Sequence, residues 1–163
     1  GLPLLLAAWG RIAPELRARG SLALHGPDVH EPEFVAQLGA RAKEVGAVIL
    51  GPLAHAEVPR ALASIDLLVV PSLWFENAPL IIYEAFAART PLLVSDLGGM
   101  AELVEEGRGG WRFRAGDAED LTRRLSAILA DRSAFDMLGP PRAKPVTFED
   151  HASEVEARYR ALR

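Results

Sequence analysis

The chain has 163 residues, of which half are apolar and a quarter are charged, and its formal net charge is −4. This composition suits one folded domain with a core of its own and excludes an intrinsically disordered chain. The slight acidity, with no long cluster of Lys and Arg, argues against nucleic acid as a partner. Without cysteine there is no disulfide or thiolate chemistry, and the four histidines lack metal-ligand spacing, so we expect no metal site.

Short apolar runs alternate with helical patterns along residues 1–138, which predicts an α/β fold. We expect a Rossmann-like parallel sheet flanked by helices, with a first helix over residues 2–18. The predicted strands cover residues 21–25, 47–50, 66–70, 91–95 and 110–113. The predicted later helices cover residues 31–45, 57–64, 79–88, 99–106 and 117–131.

The tail is predicted to be separate from this domain. Residues 139–146 are rich in Gly and Pro and therefore predict an extended connector. Thr147, with Asp150 three residues later, is typical of a capped helix start, so residues 147–163 predict an amphipathic helix. We expect the apolar stripe of this helix to pack on its own domain. The stripe consists of Phe148, Ala152, Val155, Tyr159 and Leu162.

The most informative segment is P-S-L-W-F-E-N-A-P-L-I-I-Y-E-A-F, residues 71–86, which follows the apolar run 67–70. It predicts a strand that leads through a loop into a helix, with Pro79 in the first helical turn. Glu84 lies in an otherwise almost wholly apolar helix, where a carboxylate is costly unless a polar group meets it. Taken alone, Glu84 is more often solvated or paired with Arg89, and Glu76 is more often a favourable charge at a helix N-terminus.

These two glutamates, in E-N-A-P-L-I-I-Y-E, resemble the E-x7-E motif of retaining glycosyltransferases of family 4, the glycosyl transferases group 1. Further matches follow in order at P-L-L-V-S-D (91–96), G-G-M-A-E-L-V (98–104), Gly107 and Gly110. Two glutamates at this spacing are weak evidence by themselves. The ordered series of matches, over about residues 20–135, is strong evidence for the resemblance. The resemblance implies the carboxyl-terminal, donor-binding half of a GT-B fold.

By this resemblance, Glu84 accepts hydrogen bonds from the two ribose hydroxyls of a UDP- or GDP-sugar, which is the donor substrate. A carboxylate suits a vicinal diol because its two oxygens can each accept one hydrogen bond. Glu76 would be the catalytic residue, in contact with the transferred sugar near its anomeric carbon. No cofactor is implied beyond the donor.

The resemblance also implies donor contacts made by backbone. Gly26 would border the nucleobase, and Gly98 and Gly99 would let the chain approach the ligand closely. A Gly-Gly pair is also common in ordinary turns, so this pair alone is a weak signal. The segment that would face the sugar and phosphate consists of Asn77, Ala78, Pro79 and Leu80.

Two departures from the family pattern carry expectations of their own. The family opens this domain with a strand and a Gly-rich turn whose Arg and Lys hold the donor diphosphate, whereas residues 1–6 resemble the helix after that turn. We therefore expect an opening strand to be missing from the centre of the sheet, leaving two unpaired edges. The family commonly has glycine where Arg89 stands, and a left-handed arginine costs about 1 kcal/mol, so we expect that helix to end differently.

The implied acceptor is a saccharide or a lipid-linked molecule, bound through an amino-terminal domain absent from this sequence. We therefore expect the 163-residue chain alone to be inactive, and expect a cytoplasmic location with peripheral contact to the inner membrane through that domain. A homodimer through the C-terminal helix or the vacant sheet position is a further alternative. Other functions left open are a nucleotide-sugar epimerase or phosphorylase on the same fold and a non-catalytic nucleotide-binding module. Glycoside hydrolysis by two carboxylates ranks lower.

Overall fold

The computed structural model describes residues 1–26, 32–141 and 147–162. Strands and helices alternate, as predicted. The strands are β1 (Ala23–His25), β2 (Val48–Leu50), β3 (Leu68–Val70), β4 (Leu92–Ser95), β5 (Glu105–Glu106) and β6 (Gly109–Phe113). The helices are α1 (Leu2–Arg11), α2 (Pro14–Arg17), α3 (Pro32–Glu44), α4 (Val58–Ala63), α5 (Leu80–Ala88), α6 (Gly98–Leu103), α7 (Ala118–Ala130), α8 (Ser133–Asp136) and α9 (Phe148–Ala161).

The central strand β4 shows how the layers form. All four of its residues are buried, and their side chains alternate between the two faces of the sheet. Leu93 joins the core cluster formed with α1, α3 and α7, whereas Leu92 and Val94 join the cluster formed with α4, α5 and α6. Helices therefore cover both faces of this strand, which confirms the predicted α/β fold.

The strands form two sheets instead of one. β1 pairs with β2 in parallel, and a second sheet has the order β3-β4-β6-β5, with β3, β4 and β6 parallel. Residues of β1 and β3 line the same 650 Å³ cavity, together with Leu2 and Leu5 of α1. This break between the sheets lies where an opening strand was expected to be missing.

Several predicted boundaries are wrong for identifiable reasons. The first predicted helix is interrupted at Ile12 and Ala13, because Pro14 cannot continue it and instead starts α2. The helix predicted to reach residue 106 ends at Leu103, since the chain turns extended at Val104 and then forms β5. Helix α8 was not predicted. Pro79 is the residue just before the first helical turn of α5.

The end of α5 also differs from expectation. Arg89 adopts the left-handed conformation, with φ 59° and ψ 31°, although it is not glycine. The amide of Thr90 donates to the carbonyl of Ala85 at 2.8 Å, and the Thr90 hydroxyl donates to the carbonyl of Leu62 at 2.8 Å. These contacts hold the helix end in the geometry that glycine would otherwise adopt at lower cost.

The tail follows its predicted start but not its predicted packing. The side chain of Thr147 accepts a hydrogen bond from the amide of Asp150 at 3.1 Å and so caps α9. Every described residue of α9 is exposed, including Phe148 at 82%, so its apolar stripe does not pack on the domain. Within the connector, residues 142–146 lie outside the described part. Among the described residues, no helix is long and apolar enough to cross a membrane.

Candidate functional site

Most of the predicted site residues lie where β3 and β4 end, whereas Gly26 follows β1 and Glu84 lies within α5. The loop 71–79 follows β3 and leads into α5, and residues 96–97 connect β4 to α6. In an open parallel sheet, this carboxyl edge is where ligands bind. The structure therefore places the segment of Glu76 beside that of Gly98 and Gly99.

Glu76 is held by its own loop. The hydroxyl of Ser72 donates to Glu76 Oε1 at 2.5 Å, and both residues are partly buried. One carboxylate oxygen thus has a fixed partner, which limits the orientations that the side chain can adopt. Ser72 belongs to the segment 71–86, but a serine in a loop carries no signal of this contact in the sequence.

The glycine pair has a structural task at this edge. The amide of Gly99 donates to the carbonyl of Glu76 at 2.8 Å. A Cβ on Gly99 would lie 1.8 Å from the carbonyl oxygen of Asn77, so only glycine permits this approach. The Gly99 amide is consequently engaged with the loop and does not serve as a free donor. Gly98 has φ +53° and lies against Glu76 and Phe75, which likewise favours glycine.

The residues between the glutamates differ in exposure. Asn77, Ala78 and Leu80 are exposed, whereas Pro79 is buried. Leu80 is the first residue of α5, and the first amides of a helix have no partner within it. The amide of Ile82 donates back to the carbonyl of Pro79 at 3.1 Å, so the amides of Leu80 and Ile81, at the positive end of the helix dipole, are the ones placed to meet an anionic ligand.

Glu84 has a polar neighbour that was not predicted. Its Oε1 lies 3.8 Å from Nδ1 of His55, and the Glu84 side chain is 29% exposed. It is thus neither turned fully into solvent nor shown in an ion pair with Arg89, the two alternatives left open by the sequence. No motif singled out His55, because an isolated histidine in a loop carries no spacing signal.

Gly26 lies at the mouth of the cavity between the two sheets. It has φ +53° and its amide donates to the carbonyl of Leu50 at 3.1 Å. His25, Gly26, Pro52 and Leu53 all contribute to the cavity wall. The rest of the predicted turn, residues 27–28, lies outside the described part. Among the described residues, no cluster of His, Asp and Glu is arranged to hold a metal ion.

Comparison with known proteins identifies the family of the chain. The family described as Glycosyl transferases group 1 matches residues 1–131. The chain belongs to that family. The match ends at residue 131, directly after α7, so α8 and α9 lie beyond it.

Individual proteins are also similar to this chain. Sulfoquinovosyl transferase SQD2 of Arabidopsis thaliana is 33% identical over 96 residues, covering 57% of this chain and 19% of that protein. Alpha-D-kanosaminyltransferase of Streptomyces kanamyceticus is 29% identical over 140 residues, covering 81% and 36%. The crystal structure of Anabaena HepE in complex with UDP has a TM-score of 0.73 at 24% identity, covering 85% of this chain and 38% of that one. The chain thus spans well under half the length of each of these relatives.

Proposed function

We propose that this chain is the donor-binding domain of a retaining glycosyltransferase that uses a UDP- or GDP-sugar. The observation that carries the proposal is the placement of Glu76 and Glu84 on one strand–loop–helix unit at the carboxyl edge, both partly buried. The existence of a UDP complex of the structural relative HepE supports a nucleotide ligand.

In this proposal, each part of the unit contacts a different part of the donor. Glu84 accepts hydrogen bonds from the ribose diol, the amides at the start of α5 face the diphosphate, and Glu76 contacts the sugar that is transferred. A nucleotide sugar already carries a good leaving group, so catalysis needs mainly orientation and stabilisation of the developing negative charge. The hydrogen bond from Ser72 contributes to that orientation by fixing Glu76 before the donor arrives.

The acceptor in this proposal is a saccharide or a lipid-linked molecule, the transferred group is a hexosyl unit, and no further cofactor takes part. The proposed setting is the cytoplasmic side of a membrane. Because the acceptor must be bound by parts outside this chain, the 163 residues alone should show no transfer. Measurable turnover by the purified chain would contradict that part of the proposal.

Nucleotide titration tests the donor site directly. Heteronuclear NMR of the labelled chain with UDP, GDP and ADP detects even millimolar affinities. We expect one of the three to shift amides of residues 76–84 and of the loop 51–55. Glu84→Ala should weaken that binding by about tenfold or more, because hydrogen bonds to a charged group contribute about 1.5–3 kcal/mol.

A matched control separates a local effect from a general one. Glu15→Ala removes an exposed glutamate of α2 and should leave nucleotide affinity unchanged. Glu76→Ala should affect the affinity for the nucleotide sugar more than that for the nucleotide alone. Absence of binding to all three nucleotides, or equal effects of Glu84→Ala and Glu15→Ala, would contradict the proposal.

A further inference from the structure

His55 is the polar residue that faces Glu84, and no part of the motif accounts for it. Its Nδ1 lies 3.8 Å from Glu84 Oε1, and its own side chain is 92% exposed. The distance exceeds that of a hydrogen bond, so a small movement separates the present contact from a direct one. An imidazole beside a partly buried carboxylate at a candidate binding edge is therefore a candidate ligand contact.

The backbone that carries His55 leads directly into helix α4. His55 begins a single helical turn, His55–Glu57, and Glu57 Oε2 accepts a hydrogen bond from the amide of Ala54 at 3.1 Å. Helix α4, which follows directly, packs closely along α5. The buried hydrogen bond from Thr90 to Leu62 joins the far ends of these two helices. The approach of His55 to Glu84 thus follows from the packing of two helices.

Chain neighbours of this pair line the cavity between the sheets. Leu53 and Val58, on either side of His55 in the chain, both line that cavity. Ile81 lines it as well, and residues three apart on a helix share a face, so Glu84 follows Ile81 along the same side of α5. A nucleoside at the mouth of this cavity would meet the His55–Glu84 pair together.

We propose that His55 is the second side chain of the ribose subsite and positions the carboxylate of Glu84. This inference rests on the proposed function. A vicinal diol uses both oxygens of a carboxylate, so binding is strongest when the carboxylate plane is fixed. In the bound state, Nδ1 of His55 closes the present separation of 3.8 Å and donates a hydrogen bond to Glu84 Oε1, which fixes the carboxylate. The specificity that results is for ribose over deoxyribose.

The test compares UDP with 2′-deoxy-UDP, which lacks one hydroxyl of the diol, by NMR titration of the complete chain. The wild type should prefer UDP. His55→Ala should reduce that preference about two- to fivefold, the range expected for an exposed polar contact to a carboxylate. His55→Gln, whose amide can still donate to Glu84, should restore part of it. His151→Ala, which removes an exposed histidine of α9, is the matched control and should change nothing.

The outcomes separate this inference from the function on which it rests. If Glu84→Ala removes the preference for ribose while His55→Ala leaves it intact, the role of His55 is refuted and the donor site stands. If His55→Ala weakens both nucleotides equally, His55 does not act through the diol and the inference also fails. If the wild type binds neither nucleotide, nor GDP or ADP, the proposed function fails and this inference with it.

Discussion

The two sheets of this domain are built from similar apolar strands but differ in how they are covered. Helices pack on both faces of β4 in the four-stranded sheet, where all four residues are buried. In the two-stranded sheet only one face is covered: Leu24 is buried, whereas Val48 and Leu50 are 54% and 40% exposed. The covered face of this smaller sheet belongs to the same core cluster as Leu93.

Most of the candidate site lies in the better-covered sheet. Ser72, Glu76 and Glu84 all lie on the strand–loop–helix unit of the doubly covered sheet. Among the described residues, the segments that follow the strands of the smaller sheet contribute Gly26, at the cavity, and His55, beside Glu84. Both glutamates of the proposed donor site therefore lie in the well-packed half of the domain.

The largest expected effect separates the two sheets by stability. Leu93→Ala empties a fully buried position and should lower the free energy of unfolding by about 2–5 kcal/mol. Val48→Ala, on the uncovered face of β2, should change it by less than about 0.5 kcal/mol. Urea unfolding followed by circular dichroism measures both. Equal losses would show that the smaller sheet is covered in solution.

A second prediction concerns the contact between the Glu76 loop and α6. Gly99→Ala forces a Cβ against the carbonyl of Asn77 and should cost about 1–3 kcal/mol, with shifted amide resonances in residues 72–79. Gly39→Ala is the matched control, because a Cβ there meets nothing within 4 Å in the middle of α3. It should stabilise the chain by up to about 1 kcal/mol. A Gly99→Ala variant with unchanged stability and spectra would contradict the close approach.

Arg89→Gly should raise the free energy of unfolding instead of lowering it. Glycine removes the strain of a left-handed residue that carries a side chain, which is about 1 kcal/mol. Because glycine also raises the conformational entropy of the unfolded chain, the net increase in the free energy of unfolding should be at most about 1 kcal/mol. Arg89→Ala keeps the strain and should give no such gain. Thermal unfolding of the three proteins decides the matter, and a lower midpoint for the glycine variant would refute the left-handed helix end.

The smallest expected effect is an acid-dependent one at the start of α7. Asp117 accepts hydrogen bonds from the amides of Asp120 and Glu119, both at 2.9 Å, and the first of these chiefly lowers the pKa of its carboxyl below the usual 3.8. A carboxyl whose pKa is lower in the folded chain than in the unfolded chain stabilises the fold at pH values above its unfolded-state pKa. This contribution is lost as pH falls below about 4. Between pH 5 and pH 3, the melting temperature of Asp117→Asn should therefore fall less than that of the wild type. The difference between the two proteins should be roughly a few degrees. An unchanged slope would contradict the assignment.

The sequence was informative where local patterns matched tertiary structure. Buried strands such as 92–95 appear as apolar runs, and the Thr147 cap is visible as a side-chain type at a fixed spacing. The expected break in the sheet could also be predicted, but only from the family resemblance. The end of α1 is also visible in the sequence, because Pro14 cannot continue a helix.

Other features depend on contacts between distant segments, which a single sequence does not display. Arg89 stays left-handed because Thr90 is bonded to Leu62, 28 residues away. The approach of His55 to Glu84 depends on the packing of α4 on α5. The exposure of α9 could not be read from its stripe, since an apolar periodicity predicts burial without identifying the partner.

The end of the larger sheet has a consequence for solubility at high concentration. Beyond β6 the sheet closes with the two-residue strand Glu105–Glu106, and Glu106 is paired with Arg124. On the same side, Gly107 and Gly109 exchange backbone hydrogen bonds with Gly139, at 3.0 and 2.8 Å. This edge strand is short and acidic, and the segment at Gly139 forms backbone hydrogen bonds beside it. A second chain therefore finds little backbone to pair with there, so aggregation through this edge of the sheet should be disfavoured.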